Sequence, residues 1–287
     1  TGVVAADEDQ TGLSGGTYSV LITDAKGCTI SATYTIDEAT DVVLTGTGVD
    51  PTCNGGGDGS VTVSASGGVS LYSYTNNGGT AQSSPTFSGL SAGAQVIVVT
   101  DAAGCTETVT ITLADPAAVA ATTTVVSNVS CNGLSDGSAS ASATGGVGAY
   151  TYDWDNGETG ATATNLAVGT HTVTATDANG CTVTQTVAIT EPVALSVATA
   201  VDQDVSCNGG IDGGATATAS NGTATYTYVW SNGETGASAT ALNVGQHSVT
   251  ATDANGCTAV TTVTITEPAA LTLSGVVTDV TCNGALN

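Results

Sequence analysis

Two short cysteine-bearing strings recur along this chain in fixed register, and together they confine it to a tandem array. The first, Asp-Ala-X-Gly-Cys-Thr, places cysteines at Cys28, Cys105, Cys181 and Cys257. The second, Cys-Asn-Gly, begins at Cys53, Cys131, Cys207 and Cys282. Both series advance by about 76 residues, which is the signature of a structural repeat and not of a single large domain. A repeat this regular points to spacing and multivalent display more than to one active site.

The register divides the 287 residues into three full units, 39–116, 117–192 and 193–268, with a partial unit at each end, 1–38 and 269–287. The first partial unit matches only the back half of a repeat, and the last stops just past its first cysteine marker. With no methionine in the sequence, the expectation is a slice of a longer, processed polypeptide. The sequence holds neither a signal-peptide pattern nor an apolar run long enough to span a bilayer.

Charge narrows the function classes. Asp and Glu number 25 against one lysine and no arginine, for a formal net charge of −24. A polyanion repels nucleic acid and has nothing with which to neutralise phosphates, so nucleic-acid binding is excluded. Acidic chains are often disordered, but this one keeps regular Val, Ile and Tyr positions between its Gly and Asn punctuation, and reads as folded. Lys26 is the only basic side chain apart from two histidines. Trypsin-like proteases therefore find almost no site, and lysine-based isopeptide cross-links cannot staple the full repeats. Any covalent staple must be cystine.

Eight periodic cysteines without C-x-x-C spacing or clustered histidine read as a disulfide framework formed in an oxidising, extracytoplasmic compartment. Two pairings fit the spacing. Within units they are Cys53 with Cys105, Cys131 with Cys181 and Cys207 with Cys257, leaving Cys28 and Cys282 to partners outside the fragment. Between adjacent markers they are Cys28 with Cys53, Cys105 with Cys131, Cys181 with Cys207 and Cys257 with Cys282, which leaves no thiol over.

Strands are expected in the third unit at Leu195–Val205, Ala215–Ala219, Tyr226–Trp230, Ala237–Leu242, His247–Thr252 and Thr258–Thr266, short runs of Thr, Val and aromatics separated by Gly-rich turns. His247, Val249 and Ala251 share one face, and the same phase recurs at Tyr18, Val20, Ile22 and at Gln95, Ile97, Val99. Six antiparallel strands would bring the first, third and fifth connections, carrying Cys207, the Ser231–Gly236 loop and Cys257, to one end. That topology favours the within-unit pairing. Asp115-Pro116, Glu191-Pro192 and Glu267-Pro268 mark stiff boundaries, because proline restricts its predecessor and cannot extend a sheet.

No catalytic constellation recurs. His171 and His247 occupy a position held by Tyr18 and Gln95 elsewhere, so a ligand role is disfavoured and a strand-end structural role expected. Tyr150, Tyr152, Trp154 and Tyr226, Tyr228, Trp230 each share a strand face and could form a sugar-stacking platform. With few other large residues available, core packing is the stronger reading. Asn76 stands in the tryptophan position of the first unit. Asp153, Asp155, Asn156 and Glu158 offer calcium-type oxygens, as do the recurring Asp58, Asp136 and Asp212. The twelve-residue calcium loop is absent, however, and Val229 and Ser231 replace two of the ligands in the next unit, so no cofactor is expected. Asn128 to Ser130 and Asn221 to Thr223 match the glycosylation sequon, a short and common motif.

From Cys131 to Pro192 the succession Cys-Asn-Gly-X-X-Asp-Gly, Ala-Thr-Gly-Gly-Val-Gly-Ala-Tyr-Thr-Tyr-X-Trp, Asn-Gly-Glu-Thr-Gly-Ala, Thr-Val-Thr-Ala-Thr-Asp-Ala-Asn-Gly-Cys and Ile-Thr-Glu-Pro resembles the SprB repeat of large surface adhesins in gliding Bacteroidota. The resemblance is strong in the units beginning at Cys131 and Cys207 and weakens at Leu71 to Phe87. It implies a mobile adhesin filament at the outer-membrane surface, exported by type IX secretion and moved by the gliding machinery. The combined expectation is an all-β tandem array of small immunoglobulin-like antiparallel sandwiches, disulfide-stapled, forming a non-enzymatic stalk. Its partners are neighbouring repeats, with surface polysaccharide or an abiotic surface as a target. An array of carbohydrate-binding modules and a self-assembling extracellular filament subunit are the alternatives.

Overall fold

The computed structural model describes residues 10–278. These form strands joined by turns, and no helix is long and apolar enough to cross a membrane. A hairpin of β1 (Gly16–Thr23) and β2 (Thr29–Ile36) comes first. Three six-stranded sandwiches follow: β3 (Val43–Val49), β4 (Gly59–Ser66), β5 (Ser73–Asn76), β6 (Thr86–Leu90), β7 (Gly93–Thr100) and β8 (Thr106–Leu113); then β9 (Ala120–Ser127), β10 (Gly137–Thr144), β11 (Thr151–Trp154), β12 (Thr162–Leu166), β13 (Gly169–Thr176) and β14 (Thr182–Ile189); then β15 (Ser196–Gln203), β16 (Gly213–Ser220), β17 (Thr227–Trp230), β18 (Ser238–Leu242), β19 (Gly245–Thr252) and β20 (Thr258–Ile265). The six strands expected in the third unit are all present, with ends shifted by no more than two residues. By proximity the chain forms two compact units. Among the described residues one is 10–119 with 145–148 and 177–181, and the other is the remainder of 10–278.

Each sandwich has the same wiring. Its first, second and fourth strands make one antiparallel sheet, in the order β3-β4-β6, and its third, fifth and sixth make the other, in the order β5-β7-β8. This is an immunoglobulin-like arrangement with the fourth strand of the larger sheet left out. The inward faces are those the alternation indicated: Gln95, Ile97 and Val99 are buried, as are His247, Val249 and Ala251. In the hairpin the same phase buries nothing. Val20 is 48% and Ile22 64% exposed, because β1 pairs only with β2 and no second sheet lies over them among the described residues.

The cores place their large side chains on different strands. Trp154 and Trp230 fill the second and third cores opposite Ala139, Ala141, Ala163 and Ala215, Ala217, Ala239. In the first sandwich Asn76 takes the tryptophan register, while Val61, Val63 and Phe87 replace the alanines. The larger side chains force a smaller neighbour. A Cβ on Gly46 would lie 2.7 Å from Ile111 Cδ1 and 2.8 Å from Val63 Cγ1. Thr123 and Thr199 occupy that register in the other two sandwiches, and their hydroxyls donate across to the Thr186 and Thr262 carbonyls. Such compensated exchange is how a core tolerates sequence change at constant packing density.

Candidate functional site: the cystine junction

Chemistry concentrates in two loops of each sandwich. The Cys-Asn-Gly loop joins the first strand to the second. Its aspartate turns back on it: Asp136 accepts from the amide and the hydroxyl of Ser130, as Asp58 does from Thr52 and Asp212 from Ser206. These bonds, that from the hydroxyl first, hold all three carboxyls below their ordinary range. The loop also grips the outgoing chain. Gly133 N donates to Glu191 at 2.7 Å and Asn132 Nδ2 to the Pro192 carbonyl at 3.2 Å. Asp115-Pro116 and Glu267-Pro268 are held in the same way by Asn54-Gly55 and Asn208-Gly209. The acid-proline pair is thus a clasp as well as a boundary. The following Gly137 is needed for space and not for turn geometry: a Cβ there would lie 2.8 Å from the Leu166 carbonyl oxygen and 2.7 Å from Ile189 Cγ2.

The second loop is the Asp-Ala-X-Gly-Cys tip between the fifth and sixth strands. Asp177 is buried, receiving Val147 N on one oxygen and Asn179 N and Cys181 N on the other. The Val147 amide is the leading cause of its lowered pKa, opposed by burial. Asp101 and Asp253 are bound alike, through Val69 and Thr223. Gly146 sits so close that a Cβ would lie 2.3 Å from Asp177 Oδ2, and its φ of 56° also favours glycine.

The cystines are Cys53–Cys181 and Cys131–Cys257, each with Cα atoms 5.6 Å apart. Neither sequence-based pairing is realised. Cys105 is not joined to Cys53, Cys181 not to Cys131, and Cys257 not to Cys207. Cys28, Cys105 and Cys207 are exposed free thiols, and Cys282 lies outside the described residues. Each cystine instead joins the Cys-Asn-Gly loop of one sandwich to the tip of the next. The tip's asparagine accompanies the bond: Asn179 Nδ2 donates to the Thr52 carbonyl at 3.5 Å, and Asn255 Nδ2 to that of Ser130 at 3.2 Å.

Strand counting misplaced the tip, and the third sandwich shows why. After β17 the chain turns at Ser231–Gly233 and runs back along β17, with a Val229↔Thr235 bridge and Gly236 N donating to Tyr228. It then crosses to β16 at Ala237 before starting β18. This extra reversal sends β17 and β18 in the same direction. Cys207 therefore lies at the end where Val205 N meets the Thr266 carbonyl, whereas Cys257 lies at the Thr252↔Thr258 end of the β19–β20 hairpin. The first sandwich separates Cys53 from Cys105 in the same way.

The remaining candidates have structural partners. Trp154 and Trp230 are buried, their indoles donating to the Gly160 and Gly236 carbonyls, and Tyr152 and Tyr228 pack on the cores. Tyr150 and Tyr226 are half-buried. Asn128 Oδ1 accepts from Thr190 N, a task Asp50 and Asp204 perform elsewhere. Asn221 takes a positive φ of 62°. Glu158 ties down Thr164, and no group of three or more metal-ligating side chains is assembled among the described residues. Asp153 is exposed, and the Trp154–Glu158 turn carries Asn156, whose amide donates to the Thr164 carbonyl.

His247 Nε2 is 2.8 Å from the Asn243 carbonyl, and Gln95 fills that register with bonds to Asn76 and Asn77. His171 adds an ion pair with Asp155 at 3.0 Å. Burial opposes its charge, but the Ala167 carbonyl and Asp155 outweigh burial and raise its pKa. The raised pKa gives stabilisation that is complete below the ordinary histidine value of about 6.5 and is lost as pH rises through the folded value. An NMR titration should therefore show the His171 midpoint falling in Asp155→Asn. A midpoint in the unsubstituted chain at or below the free-histidine value would remove the pair's role.

The SprB repeat family profile matches residues 45–81, 123–159 and 199–235. No curated protein sequence matches the chain. Among solved structures, eight N-terminal Ig domains of Down Syndrome Cell Adhesion Molecule align over 89% of this chain and 40% of theirs, at 12% identity and a TM-score of 0.35. The chain thus spans less than half of that structure. Three Ig domains of titin align over 80% of this chain and 99% of theirs, at 11% identity and a TM-score of 0.33. A C-terminal fragment of intimin, in complex with the intimin-binding domain of its translocated receptor, aligns over 61% and 71%, at 15% identity and a TM-score of 0.24. The three profile matches fall on the first three strands of the three sandwiches, so each sandwich carries a segment that matches the SprB repeat.

Proposed function

We propose that this array is a load-bearing stalk segment of an extracellular, adhesin-like protein, with no catalytic role. The observation that carries the reading is the pair of cystines linking successive sandwiches. Cystine persists outside the reducing cytoplasm, and a bond between neighbours serves an array that must keep its spacing under load. The acidic, lysine-poor surface supports the same reading, since it keeps the array soluble and offers almost no site to trypsin-like proteases. The SprB resemblance extends the proposal to a cell-surface adhesin used in gliding, placed at the outer membrane by type IX secretion.

The carbohydrate-module alternative loses its strongest support with both tryptophans buried, since an indole inside a core cannot stack on a sugar. Beads coated with the chain and presented to polysaccharide-coated surfaces test the two readings. The stalk reading expects attachment no greater than that of beads bearing an unrelated Ig array. Saturable attachment lost in Tyr226→Ala, with folding intact, would transfer the adhesive role to the repeats themselves.

A further inference from the structure

Cys207 and Cys105 are not ordinary surface thiols. Cys207 sits in a loop built like those of Cys53 and Cys131, with Ser206 on Asp212, Gly209 on Glu267 and Asn208 on the Pro268 carbonyl. Cys105 sits on a tip built like those of Cys181 and Cys257, with its amide on Asp101. In two sister copies of each loop the same cysteine is bonded, always loop to tip. A groove lined by Ser206, Asn208, Pro268 and Leu271 flanks Cys207, and another lined by Asp41, Val42 and Thr106 flanks Cys105. The formed junction at Cys131–Cys257 has a groove of related make-up, lined by Asn132, Leu134, Leu195 and Thr258.

We propose that the Cys207 loop is a docking site for the Asp-Ala-X-Gly-Cys tip of a further repeat, and that Cys105 is a tip of that kind, so that a second copy of this chain joins head to tail by a Cys207–Cys105 cystine. Disulfide exchange supplies the chemistry. The Cys207 thiolate attacks an oxidised glutathione sulfur and releases one glutathione thiolate. The tip thiolate then attacks the Cys207 sulfur of the mixed disulfide and releases the second. Both loops are held by internal hydrogen bonds before they meet, so little ordering is required on docking. One element is missing from the Cys105 tip: Ala103 stands where Asn179 and Asn255 donate across the formed junctions.

The inference deepens the junction reading and is independent of adhesion, so the bead assay can fail without touching it. The test incubates the full chain, with Cys282→Ser, in a glutathione redox buffer, traps free thiols and maps cystines without reduction. Oligomers should carry Cys207 bonded to Cys105 or to the equivalent tip residue Cys28. Such mixed pairs should exceed Cys207–Cys207 pairs by about tenfold, the equivalent of one or two net hydrogen bonds between the mating loops. Ala103→Asn should raise the Cys207–Cys105 yield severalfold by restoring the amide, with maleimide labelling of Cys207 in the reduced chain unchanged. Symmetric pairs as abundant as mixed ones, or no cross-link at Cys207, would overturn the proposal.

Discussion

Pulled from its ends until every sandwich is open, the oxidised chain should lengthen far less than the reduced one. The two cystine loops overlap, since Cys131 and Cys181 both lie inside the span from Cys53 to Cys257. The covalent path runs from Cys53 across to Cys181, back along the chain to Cys131, and across to Cys257. It contains about 50 residues, or roughly 170 Å when extended. After reduction the same span releases about 200 residues, roughly 700 Å. Single-molecule force extension with and without reductant reads the difference directly, and equal contour lengths would refute the pairing. Within-unit cystines would give a different increment, because each would shield only its own unit. Closing loops with sequence separations of 128 and 126 also stabilises each junction by about 5 kcal/mol in the chain-entropy picture.

Trp230→Ala should destabilise the third sandwich by about 3–5 kcal/mol, a large part of what a small domain possesses. Trp230 is 2% exposed, shares one core cluster with Val205, Ala217, Leu242 and Val263, and anchors the return loop through Gly236. The alanines opposite cannot expand into the cavity. Hydrogen exchange should show lost protection in β16 and β19 while β10 and β13, which pack on Trp154, keep theirs. A loss below about 1 kcal/mol would mean that the indole is not the core's main support.

Much of this was readable from residues. Alternation at His247, Val249 and Ala251 located a buried face, and turn glycines bounded the strands, because both signals are local. The tryptophans' place in the core followed from the scarcity of other large side chains. The compensation around Asn76 was not legible, since Phe87, Val61 and Gly46 come together only across strands and between sheets. Nor was the second use of Glu191-Pro192 as a partner for Gly133, which needs a contact some 60 residues away in sequence.

The cysteines divide most sharply. By itself the sequence determined that cystine would be the staple, that both cysteine series would sit in loops between strands, and that the chain would be an all-β tandem array resembling SprB repeats. It could not choose partners, because every Cys-Asn-Gly loop looks locally like every other and so does every tip. Only the tertiary structure decided that. The return of the chain along β17 before β18, repeated in the other sandwiches, reverses the end at which the tip emerges, and the Cys53 and Cys131 loops bond to the next sandwich's tip instead of their own.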